Sequence, residues 1–178
     1  MKKRAVIPAV LLVAAIAVAV GLYLFQPWRI FTSSTVIEDL PAAPAPASQS
    51  QGPSVAPSAF AVPRELATGQ FISHEHASSG TVKILELPDG SRILRLEGLD
   101  TSDGPDLRVW LTDAPVVEGA AGWYVFDDGA YLDLGTLKAN KGDQNYEIPA
   151  ATALGDYTSV SIWCARFAVS FAAAELKT

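Results

Sequence analysis

The sequence predicts an all-β domain, an antiparallel β-sandwich or partly closed barrel of about 7–8 short strands, preceded by one transmembrane helix. Three observations predict it. A charge-free apolar run, Ala5 to Phe25, follows three basic residues. Beyond Leu66, apolar residues come in short runs broken by Gly, Pro, Asp and Asn, and several alternate with period two. No stretch carries the longer helical pattern that the crossovers of a parallel sheet require.

The N-terminal run is 21 residues long. At about 1.5 Å rise per residue it reaches roughly 30 Å, the thickness of a bilayer's hydrocarbon core. Pro8 lies near its start, where a missing N–H costs least. Tyr23 and Trp28 suit the far interface, and Lys2, Lys3 and Arg4 belong on the cytoplasmic side. A cleaved signal peptide has a core of about 7–15 residues and a small-residue cleavage site. Here the core is longer, and Gln26-Pro27-Trp28-Arg29 follows directly. The expectation is therefore a single-pass cell-membrane protein, with residues 1–29 as basic tip and anchor and the C-terminal part outside. No cysteine follows the run closely, which excludes a lipidated N-terminus. Residues 30–65 read as a linker dominated by Pro, Ala and Ser, too small to build a core and inclined to extended geometry.

Residues 66–178 form the expected domain. Thr81–Leu87 and Arg92–Leu96 flank Pro88-Asp89-Gly90, a turn in which Gly90 supplies positive φ and Asp89 bonds local backbone. Leu107, Val109 and Leu111 alternate with Arg108 and Trp110. Trp123–Phe126 reads as a short aromatic strand, and Tyr146 and Ile148 as another that ends at Pro149. Val160, Ile162 and Cys164 alternate with Ser161 and Trp163; Phe167, Val169 and Phe171 alternate with Ala168 and Ser170. The parity changes between these last two sets, so a bulge or bend near Ala165-Arg166 is expected.

The whole chain carries a formal charge of -6, but Phe60–Thr178 holds 9 basic and 17 acidic side chains, a difference of -8. Such a surface repels nucleic acid and anionic lipid headgroups. With one cysteine, Cys164, no intrachain disulfide forms, and a Cys-rich zinc or iron–sulfur site is excluded. No nucleophile elbow or phosphate-binding glycine loop is present, so no enzymatic reaction is assigned.

Cys164 shares a face with Val160 and Ile162, which points to burial; a lone exported thiol is also a candidate reactive group. Arg166, two residues on, favours the thiolate if it shares that face. His74 and His76 project together from a strand and are candidate metal ligands or cofactor contacts. Asp103 and Asp106, with Asp100 nearby, have the spacing of oxygen ligands, and equally that of a tight turn around Gly104-Pro105. Lys138–Tyr146, rich in turn formers, reads either as turn chemistry or as an exposed recognition loop, with Gln144 and Asn145 satisfying loop backbone or meeting a ligand. Trp110 and Trp163 face away from the aliphatic set. They either pack in a second layer or lie exposed, and beside a redox centre such rings relay electrons.

From Gly69 to Leu176 the chain resembles the DM13 domain, described as an electron-transfer domain. The resemblance runs through Gly69-x-Phe71, His76, Gly80 and Asp103-Gly-Pro-Asp-Leu107. It continues through Leu134-Gly135-x-Leu137-Lys138 and Asn140-Lys-Gly-Asp-Gln-Asn-Tyr-x-Ile-Pro149, and closes on Ser161-Ile-Trp-Cys164, Arg166-Phe167 and Phe171. It implies a β-rich extracytoplasmic domain with Cys164 as the redox residue and His76, Trp163 and Arg166 as candidate cofactor contacts. The cofactor itself is unknown. In larger animal proteins the domain sits beside haem-binding-type domains; this chain has none and needs an external electron partner. The competing expectation is a non-enzymatic envelope interaction module with a structural cysteine. The redox reading expects an accessible or ligated sulfur with a lowered pKa; the interaction reading expects an inert, buried one.

Overall fold

The computed structural model describes residues 3–41 and 62–178. The Pro/Ala/Ser-rich centre of the expected linker, 42–61, lies outside the described residues. Helix α1 spans Lys3–Phe25, and its Pro8–Phe25 segment, with mean hydropathy 2.5, is long and apolar enough to cross a membrane. Pro27 ends it. A residue before proline is pushed out of the α region, and Gln26 takes a left-handed conformation with φ 43° before a 3₁₀ turn over Pro27–Phe31.

Strand β1, Thr35–Ile37, follows within the stretch expected as linker. Then come β2 (Arg64–Gln70), β3 (Ile72–Ser73), β4 (Ser79–Glu86), β5 (Arg92–Asp100), β6 (Leu107–Thr112), β7 (Tyr131–Thr136), β8 (Lys141–Ile148), β9 (Ser159–Cys164) and β10 (Val169–Glu175). They form two five-stranded sheets, ordered β1-β8-β5-β4-β2 and β3-β10-β9-β6-β7. At one edge the sheets are tied by reciprocal backbone hydrogen bonds of 2.8 Å between Thr68 and Lys177. They do not close into a barrel. Val82, Ile84, Leu94 and Leu96 of the first sheet and Val109, Leu111, Val160 and Ile162 of the second belong to one buried core. Each such side chain contributes roughly 1.5–3 kcal/mol by leaving water.

The expected hairpin is β4–β5. Gly90 has φ 83°, and Asp89 Oδ1 accepts from the Ser91 amide at 2.9 Å. Four expectations need correction. The sheets hold ten strands rather than seven or eight: β1 and β3 are too short to leave a periodic signal, and β2 and β7, each interrupted by a glycine, go unread as well. The pairing is not purely antiparallel, since β1 runs parallel to β8. Trp123–Phe126 is not a strand; it follows a 3₁₀ turn at Ala120–Gly122 within the long β6–β7 connection. Three aromatic residues and a valine, between Gly122 and two aspartates, carry too few positions to separate a strand from a packed turn. Lys138–Tyr146 is not an exposed loop, because β8 begins at Lys141 and both Asn140 and Gln144 are buried. The parity change near Ala165-Arg166 arises from a hairpin turn, with Ala168 at φ 50°, and the bulge itself lies in β10 between Ser170 and Ala172.

Candidate redox site at Cys164

Strand β9 is central in its sheet, paired to β10 on one side and β6 on the other. Cys164 closes it, opposite Leu107 and Val169. Alternation turns Val160, Ile162 and Cys164 into the shared core, where Cys164 is 0% exposed. Two distant pieces of sequence meet over the sulfur. One is the β9–β10 turn; the other is the Asp103-Gly104-Pro105-Asp106 loop, whose Asp106 carbonyl accepts from Ala165 N–H at 2.9 Å. Burial pushes the thiol pKa up, the backbone amides of Phe167, Arg166 and Asp106 hold it back, and the charge of Glu75 adds to the rise. An inaccessible sulfur with a raised pKa is the opposite of what a nucleophilic thiol requires.

The other faces of β9 and β6 are covered too. Trp163, Trp110, Ala173 and Phe126 form a second apolar cluster, so the two tryptophans pack in a second layer. Trp110 lies between Tyr131 and Trp163, with ring centroids 3.9 and 5.1 Å away, and Phe126 meets Trp163 edge-on. Trp163 is thus adjacent to Cys164 in the chain but directed into the opposite layer. Arg166 does not approach the sulfur with its guanidinium. It is exposed and donates to the Leu24 carbonyl at 3.1 Å.

The histidines separate. Both follow β3, outside any strand. His74 is buried; its Nδ1 lies 2.8 Å from Ser170 Oγ, which also accepts from Ser161 Oγ at 3.0 Å and donates to the Ala172 carbonyl. Its Nε2 is buried without a hydrogen-bond partner. Burial lowers the pKa of His74, and the Val117 backbone offsets this in part. His76 instead packs on the Phe171 ring, centroids 3.9 Å apart, and lines a cleft of about 120 Å³ with Glu75, Asp103, Arg29 and Phe25.

The aspartates are engaged by cations. Asp103 accepts from Arg29 at 3.1 Å and from Thr32 Oγ1 at 2.6 Å, Asp106 from Arg108 at 2.8 Å, and Asp100 pairs with Lys141. Among the described residues no three of His, Cys, Asp and Glu come together in a geometry that holds a metal ion. Sequence reasoning missed Arg29 as a partner of Asp103, since nothing in a sequence pairs residues 74 positions apart. It also missed the Ser161–Ser170–His74 chain, in which two serines on solvent-parity positions were the available signal.

These features define a two-sheet β domain with one buried thiol, behind a single apolar helix. Residues 70–176, more than half of the chain, match the family described as Electron transfer DM13, and the chain belongs to that family. No curated protein and no solved structure matches it.

Proposed function

We propose that the protein is a membrane-anchored electron-transfer domain that works outside the cytoplasmic membrane, with Cys164 as its redox residue. The observation that carries this reading is the family match, which spans every strand from β3 onward and includes the Cys164 strand. Burial of the sulfur selects among redox chemistries. Thiol–disulfide exchange needs a thiolate that meets its partner, and Cys164 offers neither ionisation nor access. Electron transfer does not require contact. Oxidation passes one electron to an oxidised one-electron partner and one proton from the thiol out past the β9–β10 turn to solvent. It leaves a sulfur-centred radical in the core, on the face of β9 opposite the Trp163–Trp110 stack. The partner is a separate redox protein or small carrier of the envelope, because the chain holds a single cysteine.

A second reading is favoured by one observation: full burial and a raised pKa are what an interaction module with a packing cysteine expects, and the reverse of the accessible, low-pKa sulfur expected of the redox reading. One preparation of Thr32–Thr178 separates the two. Its visible spectrum and metal content are recorded, and it is treated with a one-electron oxidant and examined by electron paramagnetic resonance. A chromophore, a stoichiometric metal or a radical signal lost in Cys164→Ala supports the redox reading. A colourless, metal-free protein with identical signals in both forms overturns it in favour of the interaction module.

A further inference from the structure

The domain's Cys164 end is fastened directly to the exit of α1. The Phe167 ring, at the tip of the β9–β10 turn, stacks on Phe25 with centroids 5.8 Å apart and an interplanar angle of 19°. Arg166 reaches the Leu24 carbonyl, and Arg29 bridges to Asp103 and to the Gly104 carbonyl at 2.8 Å. Phe25 is also the last residue of the apolar segment. If that segment spans a bilayer, whatever touches Leu24 and Phe25 lies within a few ångströms of the hydrocarbon boundary. Headgroup layers add about 5–7 Å on each side of the core, so Phe167 and Arg166 fall inside that layer.

The composition of this end fits that place. Phe25, Trp28, Phe31 and Phe167 are all exposed, Phe31 at 86% and Phe167 at 42%. Aromatic rings concentrate at membrane interfaces, and arginines reach lipid phosphates there. Arg166 has no carboxylate partner among the described residues, although the domain as a whole is acidic. Exposed aromatics and an unneutralised cation are wrong for a free acidic surface and right for a lipid one.

We propose that the β9–β10 turn, through Phe167 and Arg166, docks into the outer headgroup layer of the membrane that α1 spans, standing the domain end-on. This rests on the reading of α1 as an anchor. The turn that covers Cys164 then faces the bilayer, and a partner reaching the sulfur by that turn comes from the membrane side.

The test uses the full chain in bilayers of phosphatidylcholine and phosphatidylglycerol, in a Cys164→Ala background. An environment-sensitive fluorophore is attached in turn at Phe167→Cys, at Ala150→Cys beyond the far end of β8, and at Ala14→Cys in mid-helix. Lipids carrying a quencher near the headgroup should roughly halve the emission at 167 and leave 150 unchanged, while deep-chain quenchers reach 14. No lipid quenching at 167 with quenching at 14 overturns the docking and leaves the anchor standing. Equal quenching at 167 and 150 overturns the end-on orientation. No quenching at 14 sinks the anchor and the docking together. A Phe167→Trp variant that keeps Cys164 gives the same comparison through brominated-lipid quenching above that of the parent chain, should the alanine background fail to fold.

Discussion

His74 and Cys164 are both buried and titratable, and they destabilise the fold at opposite ends of the pH scale. The folded pKa of His74 is depressed. Below about 6.5 the unfolded chain binds a proton that the folded chain refuses, so stability falls on acidification. Urea unfolding at pH 7.5 and 5.5 should show this loss in the parent and a smaller one in His74→Gln. An equal loss in both would place the titration elsewhere. For Cys164 the folded pKa is raised, the folded state keeps its proton longer, and stability falls as pH climbs past about 8.5. Cys164→Ala should remove that alkaline slope. It should cost about 1 kcal/mol at neutral pH, because one buried sulfur is lost and a small void is left. A cost of several kcal/mol would mean that the amides around the sulfur depend on it.

At the scale of elements, β8 and its partners show how far local pattern reaches. Gln144 is fully buried. Its Oε1 accepts from the Lys138 and Ala139 amides and from Tyr146 OH at 2.8 Å, and its Nε2 donates to the Ala139 carbonyl at 2.7 Å. Burial first of all pushes the Tyr146 pKa to about 12. Gln144→Leu keeps the volume but strands these partners, and should cost roughly 2–3 kcal/mol in denaturant unfolding; a neutral result would show that water replaces the amide. Gly142 has φ 101°, and a Cβ there would collide with the Val36 carbonyl. Gly142→Ala should therefore detach β1, seen as faster hydrogen exchange at the β1 amides, at a cost of roughly 1–3 kcal/mol. The same residues explain what the sequence told. Long alternating runs such as β6 and β9, and the Asp89-Gly90 turn, were legible because period and turn chemistry agree. Lys141–Asn145 was not. Its polar side chains satisfy the protein's own backbone and cations, and composition cannot distinguish a buried amide that bonds inward from one displayed to a ligand.

For the whole molecule, the legible part was an apolar helix followed by a β domain, and the illegible part was how closely the two are joined. The stretch after α1 holds a strand of only three residues and runs on into the Pro/Ala/Ser-rich segment, so it reads as a tether. Yet it pairs β1 with β8, sends Arg29 and Thr32 to Asp103, and sets Glu38 between Lys138 Nζ and the Asn145 amide, at 2.8 and 2.7 Å. These contacts cover the β8 edge, which would otherwise present unpaired backbone groups to other chains. Two soluble pieces expose the difference, Thr32–Thr178 and Val62–Thr178. The shorter one should melt roughly 5 °C lower and associate as its concentration rises, because its β8 edge is free. The gap should also depend on pH. The Lys138 ammonium holds the Glu38 carboxyl below its usual range, so this ion pair stabilises the longer piece above about pH 4.5 and is lost as the pH falls through the lowered pKa. Melting and sedimentation of both pieces at pH 7 and at pH 3 measure this directly. Equal melting temperatures at pH 7 would show that the segment after α1 is only a tether, whereas a gap that narrows in acid would make it the covering strand of the domain.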